Sequence, residues 1–171
     1  MTQAATAISH DTEVMRMTNN FTDYCLRANV EGLTHEDSLV QPPAGANCLN
    51  WVVGHLACVY NEALPMLGQE PVGNKDAVKR YARGSKPVLD GSDALPFSEL
   101  LANCYEASKR VEAGLNSMSS SKLDAPAPFS PSKNPKETVR SLLTTVLFHQ
   151  AYHAGQTGLL RRLAGKSGAI A

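Results

Sequence analysis

The sequence predicts an all-α fold, a four-helix bundle, on three observations. Apolar residues recur at alternating steps of three and four over four long segments, the period that lays one stripe along a helix. The intervening stretches, residues 31–46, 69–95 and 120–133, are rich in Gly, Pro, Asp and Ser and contain no alternating β-branched run. The 171 residues, 43% of them hydrophobic, suffice for a real core, so the chain reads as one domain over residues 1–171.

The first helix is expected over about Asp11 to Val30, with Val14, Met17, Phe21, Tyr24 and Ala28 on its apolar stripe and Gly32 as terminator. The second follows Asn47, an N-cap type of residue closing QPPAGAN, and runs to Gly68, with Pro65 distorting its last turn. Leu49, Val53, Leu56, Tyr60, Ala63 and Leu67 form one stripe, and Cys48, Val52, His55, Val59, Glu62 and Met66 the adjacent one. The third starts near Pro96 and carries Phe97, Leu101, Cys104, Ser108, Val111, Leu115 and Met118 before fraying in the serine-rich SMSSSKL. The fourth is expected from Asn134 as N-cap, with Pro135 at the first helical position and Glu137 completing a capping box, and it stops at Gly165 after Arg161 and Arg162. The longest connection joins the second helix to the third, and a crossover of that length lets those two helices run parallel.

Sixteen basic residues balance sixteen acidic ones, which leaves no electrostatic footprint for nucleic acid or an anionic membrane and favours small-molecule partners. Cys25, Cys48, Cys58 and Cys104 form no CxxC pair and read as reduced core thiols. The N-terminal stretch MTQAATAISHDTEV lacks the basic and apolar regions of a leader, and no apolar run approaches the length of a membrane span, so the expectation is a soluble cytoplasmic protein.

The segment FHQAYHAGQTGLL breaks the pattern. The stripe of the fourth helix reads Val139, Leu142, Val146, His149, His153, Gln156, Leu160, Leu163, so its middle turns are polar. Burying an unpaired polar group costs on the order of 1–3 kcal/mol, so three in succession require compensation. Histidines at i and i+4 share one face, with Cβ atoms roughly 5–6 Å apart, and can point at one ion. His55 interrupts the stripe of the second helix in the same way, and packed helices with axes about 8–10 Å apart allow it to supply a third ligand. His10 and His35, at a terminus and in the loop-like LTHEDS, read as solvated.

Other motifs fall away on physical grounds. AGKSG lacks the earlier glycine of a phosphate-binding loop and follows a helix rather than a strand; HExxH and the Glu-x-x-His repeat of di-iron bundles are absent. Cys48 lies two turns from His55 and reads as core filler. Glu62 and Gln156 are candidates to assist the site: Glu62 two turns beyond His55 on its stripe, where a proton-transfer role competes with a surface ion pair, and Gln156 on the ligand stripe, placed to bond a bound water. Tyr152 should pack outward. Gly155 and Gly158 each cost roughly 1 kcal/mol relative to alanine inside a helix; close helix approach, including to a second subunit in a homodimer, would explain them.

Two pieces, NWVVGHLA (50–57) and HQAYHAGQTGLLRRLAGKSGAI (149–170), together with the preceding connector LTHEDSLVQPPAGAN, resemble the DinB and YfiT-like metal-binding four-helix bundles. That family's metal triad, one histidine from the second helix and an HxxxH pair from the fourth, carries onto His55, His149 and His153. The resemblance implies a divalent ion, zinc or nickel, and an activity of the thiol S-transferase type with a low-molecular-weight thiol among the substrates. A three-imidazole site with an open position is chemically able to support thiol transfer or hydrolysis. The residues equally fit a metal-binding protein without turnover, in which the ion staples a polar core.

Overall fold

The computed structural model describes residues 10–170. The stretch before His10, which carries most of the expectation of no leader, lies outside the described residues. Four long helices, α1 (His10–Val30), α3 (Leu49–Ala63), α5 (Phe97–Asn116) and α7 (Val139–Leu163), form the bundle, and short helices α2 (His35–Ser38), α4 (Lys75–Val78) and α6 (Ser120–Leu123) lie in the connections. Among the described residues the only β pairing is an isolated bridge between Pro126 and Thr138. The all-α expectation holds.

Helix α1 packs against α5 and α7, and α3 against the same two, which leaves α1 and α3 diagonal. Specific contacts fix the directions. Asn50 near the start of α3 bonds the Leu95 carbonyl just before α5, while Gly114 at the end of α5 lies against Leu67 beyond the end of α3, so α3 and α5 run parallel. Arg140 pairs with Asp11, and Asn29 bonds Thr157, so α1 and α7 are parallel too. His55 and Leu56 face His149 and Gln150, and Ala63 packs with Leu142, which sets α3 antiparallel to α7. The crossover of residues 68–96 makes the parallel α3–α5 pair feasible. It also enters the core, through Val78, Tyr81 and Val88.

Both stripes assigned to α3 behave as expected, the first being buried throughout, and Pro65 turns the last turn into a 3-10 helix over Leu64–Leu67 that ends on a left-handed Gly68. The N-cap is Cys48 rather than Asn47, and it makes no side-chain cap bond.

Three expectations are corrected. The stripe assigned to α1 faces outward: Val14 is 62% exposed, Met17 53%, Phe21 65% and Tyr24 62%. The buried face carries Met15, Asn19, Thr22, Leu26 and Asn29, whose polar groups are paired inside the bundle. Asn19 donates to Ser108 and accepts from the Tyr60 hydroxyl at 3.0 Å, and Asn29 donates to Thr157 and to the Ala154 carbonyl. Second, α7 begins at Val139, capped by Thr138 in a capping box with Ser141, not at Asn134. Backbone bonds from Ala127 to the Glu137 carbonyl and from Val139 to the Ala125 carbonyl, both 2.9 Å, hold Glu137–Thr138 extended and prevent the earlier start. Third, the serine run does not fray: Ser119 caps α6, which anchors the fully buried Leu123.

Candidate metal centre

The broad apolar face of α3 drives it into the bundle, so His55 is only 4% exposed. A buried imidazole requires partners. Its Nδ1–H donates to the Tyr81 carbonyl at 2.7 Å, which leaves the Nε2 lone pair facing inward. Trp51, one turn earlier, stacks on the ring with centroids 4.7 Å apart and planes inclined by 23°. The Trp51 indole N–H in turn donates to Ser85 Oγ at 3.1 Å. Tyr81 can lie against α3 because the residue before His55 is Gly54: a Cβ there would stand 2.3 Å from the tyrosine ring.

From α7, His149 and His153 come forward one turn apart and partly buried. His149 Nε2 lies 3.1 Å from His55 Nε2. His153 Nδ1 donates to Gln156 Oε1 at 2.7 Å, which turns its Nε2 inward as well. The ligand-type nitrogens of His55, His149 and His153 all lie within 4.8 Å of one another, and the group can hold a metal ion. Two nitrogens on a tetrahedral ion with bonds of 2.0–2.1 Å are roughly 3.3 Å apart, close to the separation of His55 and His149.

The electrostatics suit a cation. Burial pushes the pKa of all three imidazoles down, and for His149, with the neighbouring His153 and His55 adding to the effect, to about 4. At neutral pH the three rings are uncharged, and Tyr81 and Gln156 aim two of their lone pairs at one point. His149 Nδ1 is buried without a hydrogen-bond partner among the described residues. The donor set therefore fits a borderline divalent ion, with Tyr81 and Gln156 orienting two of the ligands.

The inward nitrogens form part of the wall of a cavity of about 610 Å³, whose lining includes Trp51, Val59, Glu62, Arg83 and Phe129. A model of the DinB superfamily matches residues 24–157. The chain belongs to the DinB superfamily. No curated protein matches it.

In this DinB-superfamily chain the three histidines singled out from the sequence come together, and the two assisting candidates separate. Glu62 lines the cavity, where partial burial pushes its carboxyl pKa up. Gln156 holds His153 directly, in place of the water expected for it. Tyr152 is 57% exposed, as expected, though its ring edge also meets His153 at 5.2 Å. His10 is exposed, but His35 is not simply solvated: it is partly buried, and its Nδ1 accepts from the Phe97 amide at 3.3 Å, serving one of the unpaired N–H groups at the start of α5. Cys48 is fully buried core, and burial raises the Cys58 thiol to about 11.

Sequence reasoning missed Tyr81, Trp51 and Arg83. Gly54 carried a signal for the first, since a glycine inside an apolar helix marks the close approach of another group. No helix among the described residues is long and apolar enough to cross a membrane.

Proposed function

We propose that this protein is a metal-dependent enzyme of the thiol S-transferase type, with His55, His149 and His153 holding a zinc or nickel ion. The observation that carries this reading is the placement of the three converging nitrogens in the wall of a cavity rather than inside closed packing, with no fourth Cys, Asp or Glu in the cluster among the described residues. A purely structural ion takes four protein ligands, whereas an ion with three leaves a position for a small molecule. When bound, the ion would lower the pKa of a thiol entering that position and stabilise its thiolate.

The chain's own residues supply orientation and proton handling. Tyr81, Trp51 and Gln156 hold the rings in place, and Val59 and Phe129 offer an apolar wall for the electrophilic substrate. Glu62 is the carboxylate in the cavity, and its raised pKa suits it to take the thiol proton. The thiol sulfur then forms a bond to an electrophilic carbon, and the displaced group departs with its electron pair. No protein nucleophile is needed, in keeping with the unreactive environment of Cys58.

The test uses cobalt-substituted protein titrated with small thiols while the sulfur-to-cobalt charge-transfer absorption is followed. A band in wild type and in Cys58→Ser, lost in His55→Ala and His153→Ala but kept in His35→Ala, is expected. Metal retained at one equivalent without any thiol band or thiol consumption would replace the reading with hydrolysis or a structural ion.

We further propose that a second copy of the chain covers the outer face of α1 and α7. Met17, Phe21 and Tyr24 on α1 and Phe148, Tyr152 and Leu159 on α7 are each more than half exposed. Beside them runs a groove of about 640 Å³ floored by Ala151, Gly155 and Gly158, and a Cβ at Gly155 would meet nothing within 4 Å. Aromatic side chains bury about 150–250 Å² when fully covered, so the four aromatics alone, each more than half exposed, present roughly 500 Å², and Met17, Leu159 and the groove bring the face close to the ~800 Å² per partner of a stable interface. Knobs and a groove on one face are what an isologous dimer needs.

A further inference from the structure

The cavity beside the histidines contains a cation that the fold leaves uncommitted. Arg27, Arg80, Arg110, Arg140 and Arg161 each hold a carboxylate or a backbone carbonyl, Arg16 pairs with Glu112, and Arg162 lines the groove between α1 and α7 instead. Arg83, among the described residues, makes no hydrogen bond and no ion pair, yet it lines the cavity.

Its position is built rather than incidental. The Ser85 amide bonds the Ala82 carbonyl at 3.0 Å, closing a turn with Arg83 and Gly84 at its apex, and Gly84 supplies the left-handed φ of 82° that this turn requires at its third position. Both sides of the turn are tied to α3. On one side the Tyr81 carbonyl holds His55, and the Tyr81 hydroxyl donates to Asn50 at 2.9 Å. On the other, Ser85 accepts from Trp51. The guanidinium is thereby kept in the wall of the same cavity that His55, His149 and His153 line. Glu62 lines the same cavity, and among the described residues it makes no ion pair with Arg83.

The rest of the lining is mostly apolar, from Trp51, Val59, Phe129, Pro131 and Val146. A guanidinium presents a planar fork of donors that matches a carboxylate, sulfonate or phosphate. A cationic ligand would be repelled here, and a wholly apolar one would leave the fork unused. We infer that Arg83 anchors an anionic group on an otherwise apolar small molecule, whose body lies along Trp51 and Phe129 and whose reacting end faces the histidines. This rests on the reading of the cavity as the substrate cavity and adds the class of substrate: an amphipathic acid rather than a neutral or cationic compound.

Trp51 is the single tryptophan of the chain and lines the cavity, so its fluorescence reports occupancy without any turnover. Full-length protein, with and without one equivalent of zinc, is titrated with 1-hexanesulfonate, a weakly coordinating anion, and with 1-hexanol, which shares its apolar body. The sulfonate should bind about tenfold or more tightly than the alcohol, as expected for a charge-assisted hydrogen-bonded pair. Arg83→Gln should abolish the preference while leaving the alcohol affinity unchanged, and Arg83→Lys should retain part of it. Arg83 is exposed, so neither variant should disturb folding, and unchanged circular dichroism verifies this. Equal binding of the two probes by wild type, or a sulfonate preference that survives in Arg83→Gln, overturns the inference. Because the readout involves no thiol, a missing cobalt–thiolate band together with an Arg83-dependent preference would remove the thiol-transfer reading alone.

Discussion

Gly54→Ala puts the link between packing and the metal centre to a direct test. The added methyl would stand 2.3 Å from Cγ of Tyr81 and 2.4 Å from Cδ1, whereas carbon atoms in contact settle at about 3.5–4.0 Å. The ring must therefore retreat by more than about 1 Å. It is not free to do so, since Tyr81 is fully buried, its hydroxyl donates to Asn50, and the same oxygen accepts from the Leu95 amide at 2.7 Å. Overpacking costs about 1–3 kcal/mol, and a clash this close with a pinned ring falls in the upper half of that range, partly offset by the roughly 1 kcal/mol that alanine gains over glycine inside a helix. A net loss near 1–2 kcal/mol lowers Tm by roughly 2–8 °C in a domain of this size. Movement of Tyr81 also withdraws the carbonyl that orients His55, and losing such a partner typically weakens metal affinity about 10–100-fold. Differential scanning calorimetry of the metal-free protein reads the first effect, and competition with a chromophoric chelator reads the second. An unchanged Tm would refute the packing argument. A lower Tm with undiminished zinc affinity would refute the orienting role of Tyr81.

The imidazole pKa values give a pH prediction. His149 is held at about 4 in the folded protein against an ordinary value of 6.5, so the unfolded chain takes up the proton first as pH falls. The stability of the metal-free protein should be fully present above about pH 6.5 and decline progressively toward pH 4; His149→Ala should flatten that decline, and an identical profile in the variant would contradict the assignment. For the α1–α7 face, light scattering should give twice the chain mass for wild type at micromolar concentration. Phe21→Asp should give a monomer with unaltered helical circular dichroism, and a monomeric wild type would remove the dimer.

The sequence made most of the bundle legible because α3, α5 and α7 bury long apolar stripes, which periodicity reports directly. It misplaced the face of α1 because that helix inverts the rule. Val14, Phe21 and Tyr24 look outward, while Asn19 and Asn29 are buried among hydrogen-bonding partners on α3, α5 and α7, and the buried Thr22 bonds the Thr18 carbonyl one turn back. Hydrophobic spacing finds a stripe without saying what covers it. The start of α7 was misjudged for a related reason: NPKE has the composition of a helix start, but pairing with residues 125–127 is a long-range contact that no local signal contains.

The same contrast bears on the histidines. Burying a polar side chain calls for a partner, and the structure shows two ways of meeting that demand. Asn19, Thr22 and Asn29 find protein partners. None of these needed a ligand, so a polar residue on a buried stripe is not in itself a sign of a site. His55 and His153 differ because each already has a partner for its outer nitrogen, Tyr81 and Gln156 respectively, and still presents a second, inward nitrogen. With His149 added, the inward nitrogens gather in one cluster at a cavity wall, and the rings are kept uncharged at neutral pH by their own burial. Protein hydrogen bonds explain a buried amide such as Asn19, but among the described residues the inward nitrogen of His153 has no hydrogen-bond partner and that of His55 meets only another ligand-type nitrogen, His149 Nε2. A divalent ion would complete both.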